Sequence, residues 1–587
     1  MSDLIPILLA ACIAALLLLG IVDVFATAIP RRALACATAC IAGGGMVLAM
    51  LAVAIALPET TLAIPIGPPG SALLLRLDAL SGYCLTLLLL PGTALLTQAA
   101  ARAELPALPS MLLAGLSWAV LAGDGLTLAL GFCVVGIALW RSAEVAGPQP
   151  VFVIVAGLSL MVAWRLGELP SASAWSSVVR LILAWIGGGL CLRLVPLPWW
   201  PAFGRPELPR SAAAILAALL PVVGVYMVVR LAPEAGFPAD ASIWGGALVL
   251  IGSVACVWCA LTSEQAMALD EAVALAVARP SGMCLIALGM GGIADSADMP
   301  SVAIGFRAAL LALLAGQSIC GTLAVLGARA AIDSAGSRRI DRMGGLLNQT
   351  PVMSATLAIG LLGLVAIPPT IGFFGAWALV QAIVVAPRTG AAWPDGLLLV
   401  ASVALAVSAA LALGGAVRLC ATALLGRPRT PRGSAAEDIA RGEWPALAGL
   451  ALCATLLGLF PNAMTWFGSA ATAASGTASP AVRIDDPMGF ATSIALLLVL
   501  GLAIPILRVS RRGEETGPPT TVWSGGFSPP PAWLPFGDPV TQTGGLGFVP
   551  TLPVVSWRTW FSASIPFRRW LLLGAMVALL GIAGLFG

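Results

Sequence analysis

The sequence has no histidine and no lysine; all 30 of its basic residues are arginine. A guanidinium keeps its proton at any relevant pH. The chain therefore has neither an imidazole nor an amine to take up and release a proton near neutrality. Charge of either sign is scarce. Only 10% of the 587 residues are charged, where a soluble protein carries roughly a quarter. The net charge of +3 is spread over the loops, and no basic patch resembles a nucleic-acid surface. The apolar runs do not alternate with polar residues, which excludes a membrane β-barrel.

What is present is apolar length. Hydrophobic residues make up 59% of the chain, and the mean hydropathy is +1.01. Runs of about 20 apolar residues recur from end to end, each enough to cross a ~30 Å hydrocarbon core. The expected fold class is all-α and polytopic, with about 14 to 17 transmembrane helices. The first run, from Leu4, lacks a basic flank before it and reads as a retained helix rather than a cleaved signal. The run 352–387 is too long for one span; it reads as two helices or as one broken at Pro368 and Pro369. Basic clusters at Arg31-Arg32, Arg338-Arg339-Arg342, Arg427-Arg429-Arg432 and Arg508-Arg511-Arg512 are expected on the cytoplasmic side, the first placing the N-terminus outside.

The chain divides into N-terminal helices (1–105), a core (106–420), further core helices (421–509), a polar Pro/Gly/Trp-rich loop (510–567) and a last helix (568–587). The loop's tryptophans suit a pad at the membrane interface or against a partner. The 12 cysteines fall mostly in apolar runs. Cys256 and Cys259 have CxxC spacing, but they lie inside a helix with no histidine and no second pair. Small-apolar packing is the reading, with no metal and no cofactor site. Asp23, Asp78, Asp124 and Glu168 fall at helix ends, where solvated or capping roles are expected.

The segment "GGLLNQTPVMSATLAIGLLGLVAIPPTIGFFGAWAL", Gly344 to Leu379, holds the double proline in an uncharged run. Mid-membrane prolines free a backbone carbonyl, tolerated where it faces protein or a wet cavity. With its Gly-Gly-Leu loop and Ile-Pro-Pro…Gly-Phe-Phe pattern, this segment resembles the antiporter-like membrane subunits of respiratory complex I, Mrp antiporters and membrane-bound group 4 hydrogenases. Further stretches resemble the same family in order: Arg76–Gly92, Ala122–Leu139, and Pro196–Arg230 with a second broken helix at Pro221. Arg418–Asp438 and Thr521–Phe527, the latter with Ser524 where cysteine is usual, look like the branch of hydrogenase-4 component B and formate hydrogenlyase subunit 3. The resemblance covers most of residues 70–535 and implies the antiporter-like fold with inverted repeats.

It also implies a proton path of buried glutamate, lysine and histidine across broken helices. That chemistry needs groups whose pKa a neighbouring charge can swing. Here the glutamate position reads Cys133, after Phe132; the lysine positions fall near Val222 and Ala308; the position before Trp377 is Ala376. A further lysine landmark lines up loosely with 266–282, placing Asp270 or Glu271 near it and Arg279 and Pro280 near its polar end. Genome composition exchanges lysine for arginine, but it does not turn lysine into valine or glutamate into cysteine. The remaining ion-path candidates are Glu264, Asp270, Glu271, Arg307 and Arg418, the two arginines as buried charges or as side chains snorkelling to the interface. Pro221, Pro368, Pro369 and Gly372 mark the broken helices.

The expectation is a non-catalytic subunit of a complex-I-like or hydrogenase-4-like assembly in a bacterial inner membrane. It would keep a proton-channel scaffold with reduced or lost translocation. Its partners would be the lipid bilayer, other membrane subunits and soluble iron–sulfur or hydrogenase-like subunits, since the chain shows no cluster-ligation pattern of its own. The alternatives are an active H⁺- or Na⁺-translocating subunit and a standalone secondary antiporter.

Overall fold

The computed structural model describes residues 4–25, 30–55, 57–65, 72–102, 104, 107–141, 149–168, 174–192, 208–231, 241–386, 392–426 and 428–460. Within them fifteen apolar helices are present, ten of membrane-spanning length and five shorter. We number them α1 (Leu4–Phe25), α2 (Arg31–Ala54), α3 (Ala79–Ala101), α4 (Ala107–Val120), α5 (Gly125–Arg141), α6 (Gln149–Glu168), α7 (Ala174–Leu192), α8 (Arg210–Leu231), α9 (Ala241–Gln265), α10 (Leu269–Ser296), α11 (Pro300–Ala335), α12 (Pro351–Val365), α13 (Ile371–Val385), α14 (Ala392–Leu419) and α15 (Trp444–Leu459). The expected core helices beyond residue 460, the last helix at 568–587, the 510–567 loop with Ser524, and the Arg508 cluster lie outside the described residues.

One element departs from the all-α expectation. A short antiparallel hairpin joins α2 to α3, β1 (Thr60–Ile64) with β2 (Leu73–Leu77), Thr60 opposite Leu77 and Ile64 opposite Leu73. Burial alternates along β2, the period-2 pattern of a half-buried strand. At five residues that pattern is too short to stand out beside runs of twenty. The Arg76 N–H bonds to the Leu121 carbonyl at 2.7 Å, so the hairpin lies across the end of α4.

α11 is the axis of the bundle. Its 36 residues reach about 54 Å at 1.5 Å each, and its apolar window is wholly buried. α3, α8, α10, α12, α13 and α15 pack around it. α1, α2, α14 and α15 form the rim and expose most of their apolar surface, as helices facing lipid or a neighbouring subunit do.

Helix ends meet in two layers. One is rich in arginine. Arg210, opening α8, pairs with Asp333 near the end of α11 at 2.6 Å. Arg338 pairs with Asp270 in the first turn of α10 at 2.6 Å. Glu443, beside the start of α15, accepts from Gln98 near the end of α3 at 2.7 Å. The Asp23 carboxylate receives the N–H of Ala107, which opens α4, at 2.9 Å. In the opposite layer, Asp78 caps α3 in a reciprocal box with Ser81, both bonds 2.8 Å, and pairs with Arg230 at the end of α8. Asp78 thus fills the expected capping role but is buried and ion-paired rather than solvated. Its burial pushes the carboxyl pKa up; the Arg230 charge and hydrogen bond, with those from Ser81, outweigh burial and hold it below the usual range.

Candidate functional site

Residues 351–385 answer the double proline: they form two helices, not one. α12 stops at Ala366, whose φ of 67° is left-handed, and α13 starts at Ile371 after Thr370. A helix end leaves its last four carbonyls without intrahelical donors. Here the Ile367 N–H takes the Leu362 carbonyl at 2.9 Å, and the Ala366 N–H takes that of Gly363 at 3.2 Å. The Leu364 carbonyl receives a hydrogen bond from the guanidinium of Arg279. Pro368 and Pro369 have no N–H to leave orphaned, and the Thr370 hydroxyl closes back on the Ile367 carbonyl at 2.8 Å.

The interruption is held by close backbone approach. A methyl group at Gly372 would overlap the Gly363 carbonyl oxygen, and one at Gly458 of α15 would overlap that of Pro369. The sequence therefore needs glycine at 372 for space, not only for flexibility.

Arg279 lies in α10 ten residues from the helix start, about 15 Å in, and is 3% exposed. No carboxylate is ion-paired with it among the described residues. The end of α12 supplies partial negative charge from its carbonyls, which partly offsets placing a cation at this depth, a cost of roughly 3 kcal/mol or more. Arg418 donates to the Ala266 and Ser263 carbonyls (2.9 and 3.3 Å) at the end of α9. Arg180 donates to the Leu231 carbonyl that ends α8 at 3.1 Å. Three arginines thus finish three helices. The other two do so at the ends of the bundle, Arg279 in its middle.

Beside Arg279 is a small cavity, lined also by Pro280, Gln317, Leu364, Gly372 and Ala376. Its space for a water's centre is about 10 Å³, room for one molecule. Gln317 is fully buried. Its amide donates to Ser281 Oγ at 2.7 Å and to the Val277 carbonyl at 3.2 Å, and its Oε1 has no partner.

The sequence-proposed positions do not converge. Cys133 is half-buried while Phe132 beside it is fully buried against Gly157. Val222 is fully buried in α8. Ala308 is half-buried, and Ala376 lines the cavity. Pro221 does not break its helix: α8 continues to Leu231 with one π turn, Ile215–Leu219, just before the proline. The wider turn accommodates the carbonyl that the proline ring would otherwise strike. Arg307 is not deeply buried; it pairs with Asp295 where α10 ends and α11 begins, both partners part-exposed. Glu264 and Asp270 are buried, Glu271 half-buried, and Arg418 buried, all in the arginine-rich layer. Among the described residues no cluster of His, Cys, Asp or Glu could hold a metal.

In the sequence Arg279 stands only beside the loosely aligned lysine landmark, and Gln317 belongs to no motif. Both had a signal: an arginine before proline inside one apolar run, and a lone amide in "LLALLAGQSICG" of another.

Residues 167–402 match the family described as NADH:quinone oxidoreductase/Mrp antiporter, transmembrane. Hydrogenase-4 component B of Escherichia coli (strain K12) is 26% identical over 379 residues, 62% of this chain and 56% of that protein. Formate hydrogenlyase subunit 3 of the same strain is 26% identical over 298 residues, 50% of this chain and 47% of that protein. The chain spans about half the length of these curated relatives. A chain of the archaeal membrane-bound sulfane sulfur reductase superposes with a TM-score of 0.72 at 16% identity, covering 97% of this chain and 95% of that one. A chain of respiratory complex I from Thermus thermophilus superposes with a TM-score of 0.63 at 17% identity, covering 80% and 100%. At those identities the likeness is one of fold. The match over 167–402 and the homology to hydrogenase-4 component B and formate hydrogenlyase subunit 3 thus go together with a bundle that shares the fold of antiporter-like membrane subunits.

Proposed function

We propose that this chain is a membrane subunit of a complex I, Mrp or group 4 hydrogenase-like assembly that keeps the scaffold of a proton channel and has reduced or lost translocation. One observation carries the reading. Among the described residues, no lysine, histidine or carboxylate occupies the middle of any span. In α11 the stretch from Arg307 to Arg329 is about 33 Å long and has Cys320 as its one ionisable side chain. α12 and α13 contain no ionisable side chain at all. Proton relay needs groups whose pKa can be moved through the ambient pH by their neighbours, and Arg279 is not one.

The partners in this reading are further membrane subunits and soluble iron–sulfur or hydrogenase-like subunits, and the membrane is the bacterial inner membrane. The positive-inside tendency puts the arginine-rich layer in the cytoplasm. Asp270 and Glu271 serve structure there, Asp270 as the partner of Arg338. The test is proton flux in liposomes containing the whole complex, with Asp270→Asn and Glu271→Gln in this subunit. Unchanged flux is expected; a large loss would reinstate an active, rebuilt channel.

A further inference from the structure

The absence of a relay leaves open whether the path is merely unfurnished or positively blocked. We propose that Arg279 is a fixed-charge block: it holds a single water against Gln317 at the helix interruption and repels any cation arriving there. This rests on the reading that translocation is reduced or lost.

The cavity selects its occupant. Its lining includes Arg279, a buried cation, and Gln317, whose buried Oε1 has no hydrogen-bond partner. A cation would meet the guanidinium. An anion would meet the Gln317 oxygen and the Leu364 carbonyl that Arg279 already binds. A small neutral molecule with both donor and acceptor suits both lining residues, and the volume admits one water. That water cannot pass a proton onward by way of Arg279, because the guanidinium does not give one up.

The charge also acts at a distance. Along α10 the next acid toward the opposite layer is Asp295, sixteen residues on, about 24 Å away. Asp270 lies about 13 Å the other way and is engaged by Arg338. With no carboxylate beside it, the positive field of Arg279 persists through the cavity. A unit charge at ~6 Å, at an effective dielectric of ~20, disfavours a cation by about 100-fold. A fixed cation in a narrow passage is a general means of excluding protons and metal cations.

The full chain reconstituted in liposomes tests this with two probes, proton entry under a potassium diffusion potential and chloride efflux. Wild type is expected to show only a low residual leak to both. Arg279→Gln removes the charge and keeps a hydrogen-bonding side chain. Gln317→Glu keeps Arg279 and its bond to Leu364 but sets a neutralising carboxylate beside it. Each variant should raise proton conductance about 10- to 100-fold and leave chloride efflux at the wild-type level. Equal rises in both fluxes would mean damaged packing and would overturn the block. Silence in both variants would overturn it too, while leaving the proposed function standing. If Arg279→Gln does not reconstitute, Gln317→Glu decides alone. A wild type that conducts protons freely would sink the proposed function and the block together.

Discussion

Prolines at two places in the bundle, Pro221 and the Pro368-Pro369 pair, are resolved in opposite ways. In α8, Pro221 follows a π turn at Ile215–Leu219; the helix runs on, and every residue of that turn is buried and apolar. Between α12 and α13, two prolines end one helix and a second begins, and an arginine, a glutamine and a cavity gather at the gap. The difference lies in backbone demand. One missing N–H can be absorbed by widening a single turn. Two in succession, with Ala366 in the left-handed region, expose carbonyls that need an outside donor. Arg279 meets that need at Leu364, so the charge at the centre of the membrane and the broken helix are one structural unit.

That contrast can be broken by substitution. The largest effect is expected at Gly372→Ala, whose methyl must displace the Gly363 carbonyl; a loss of about 3 kcal/mol would appear as a lower detergent-unfolding midpoint or failure to insert. A negligible change would mean the two half-helices are not locked as described. At the foot of α8, Asp78→Asn leaves Arg230 without its partner and should cost about 3 kcal/mol. The same pair gives a pH signature. Because the folded carboxyl titrates below its usual value, its stabilisation is complete above the ordinary carboxylate pKa of about 3.9 and is lost as pH falls through the depressed native value. Unfolding midpoints measured downward from about pH 5 should therefore drop in wild type more steeply than in Asp78→Asn; parallel curves would show that the pair carries no linkage.

Smaller effects sharpen the comparison. Ala366→Gly relieves a left-handed alanine and should raise the midpoint by the equivalent of about 1 kcal/mol; a fall would show that the methyl packs usefully. Pro221→Ala should change stability by less than about 1 kcal/mol, since α8 is already continuous. A loss several times larger would make Pro221 a structural hinge after all.

The double proline was legible as a break because it interrupts an otherwise uncharged run. Pro221 read as a break too, for a single proline does not reveal whether the turn before it widens. The buried ion pairs at the ends were harder. Asp78 and Arg230 are 152 residues apart, and both lie at helix ends where solvent is the default partner. The side chains around the cavity come from four helices, and an arginine at 279 carries no special mark in a chain where every basic residue is arginine.

The sequence by itself determined the solvent this protein folds in, the positions of its spans and the lack of lysine and histidine, because hydropathy and composition are local and additive. Only the tertiary structure decided which helix interruption stays open, that an arginine finishes it and that a buried glutamine with an unpartnered oxygen lines the gap. Those are matters of which backbone groups remain unbonded once the helices pack, and no single stretch of chain contains that information.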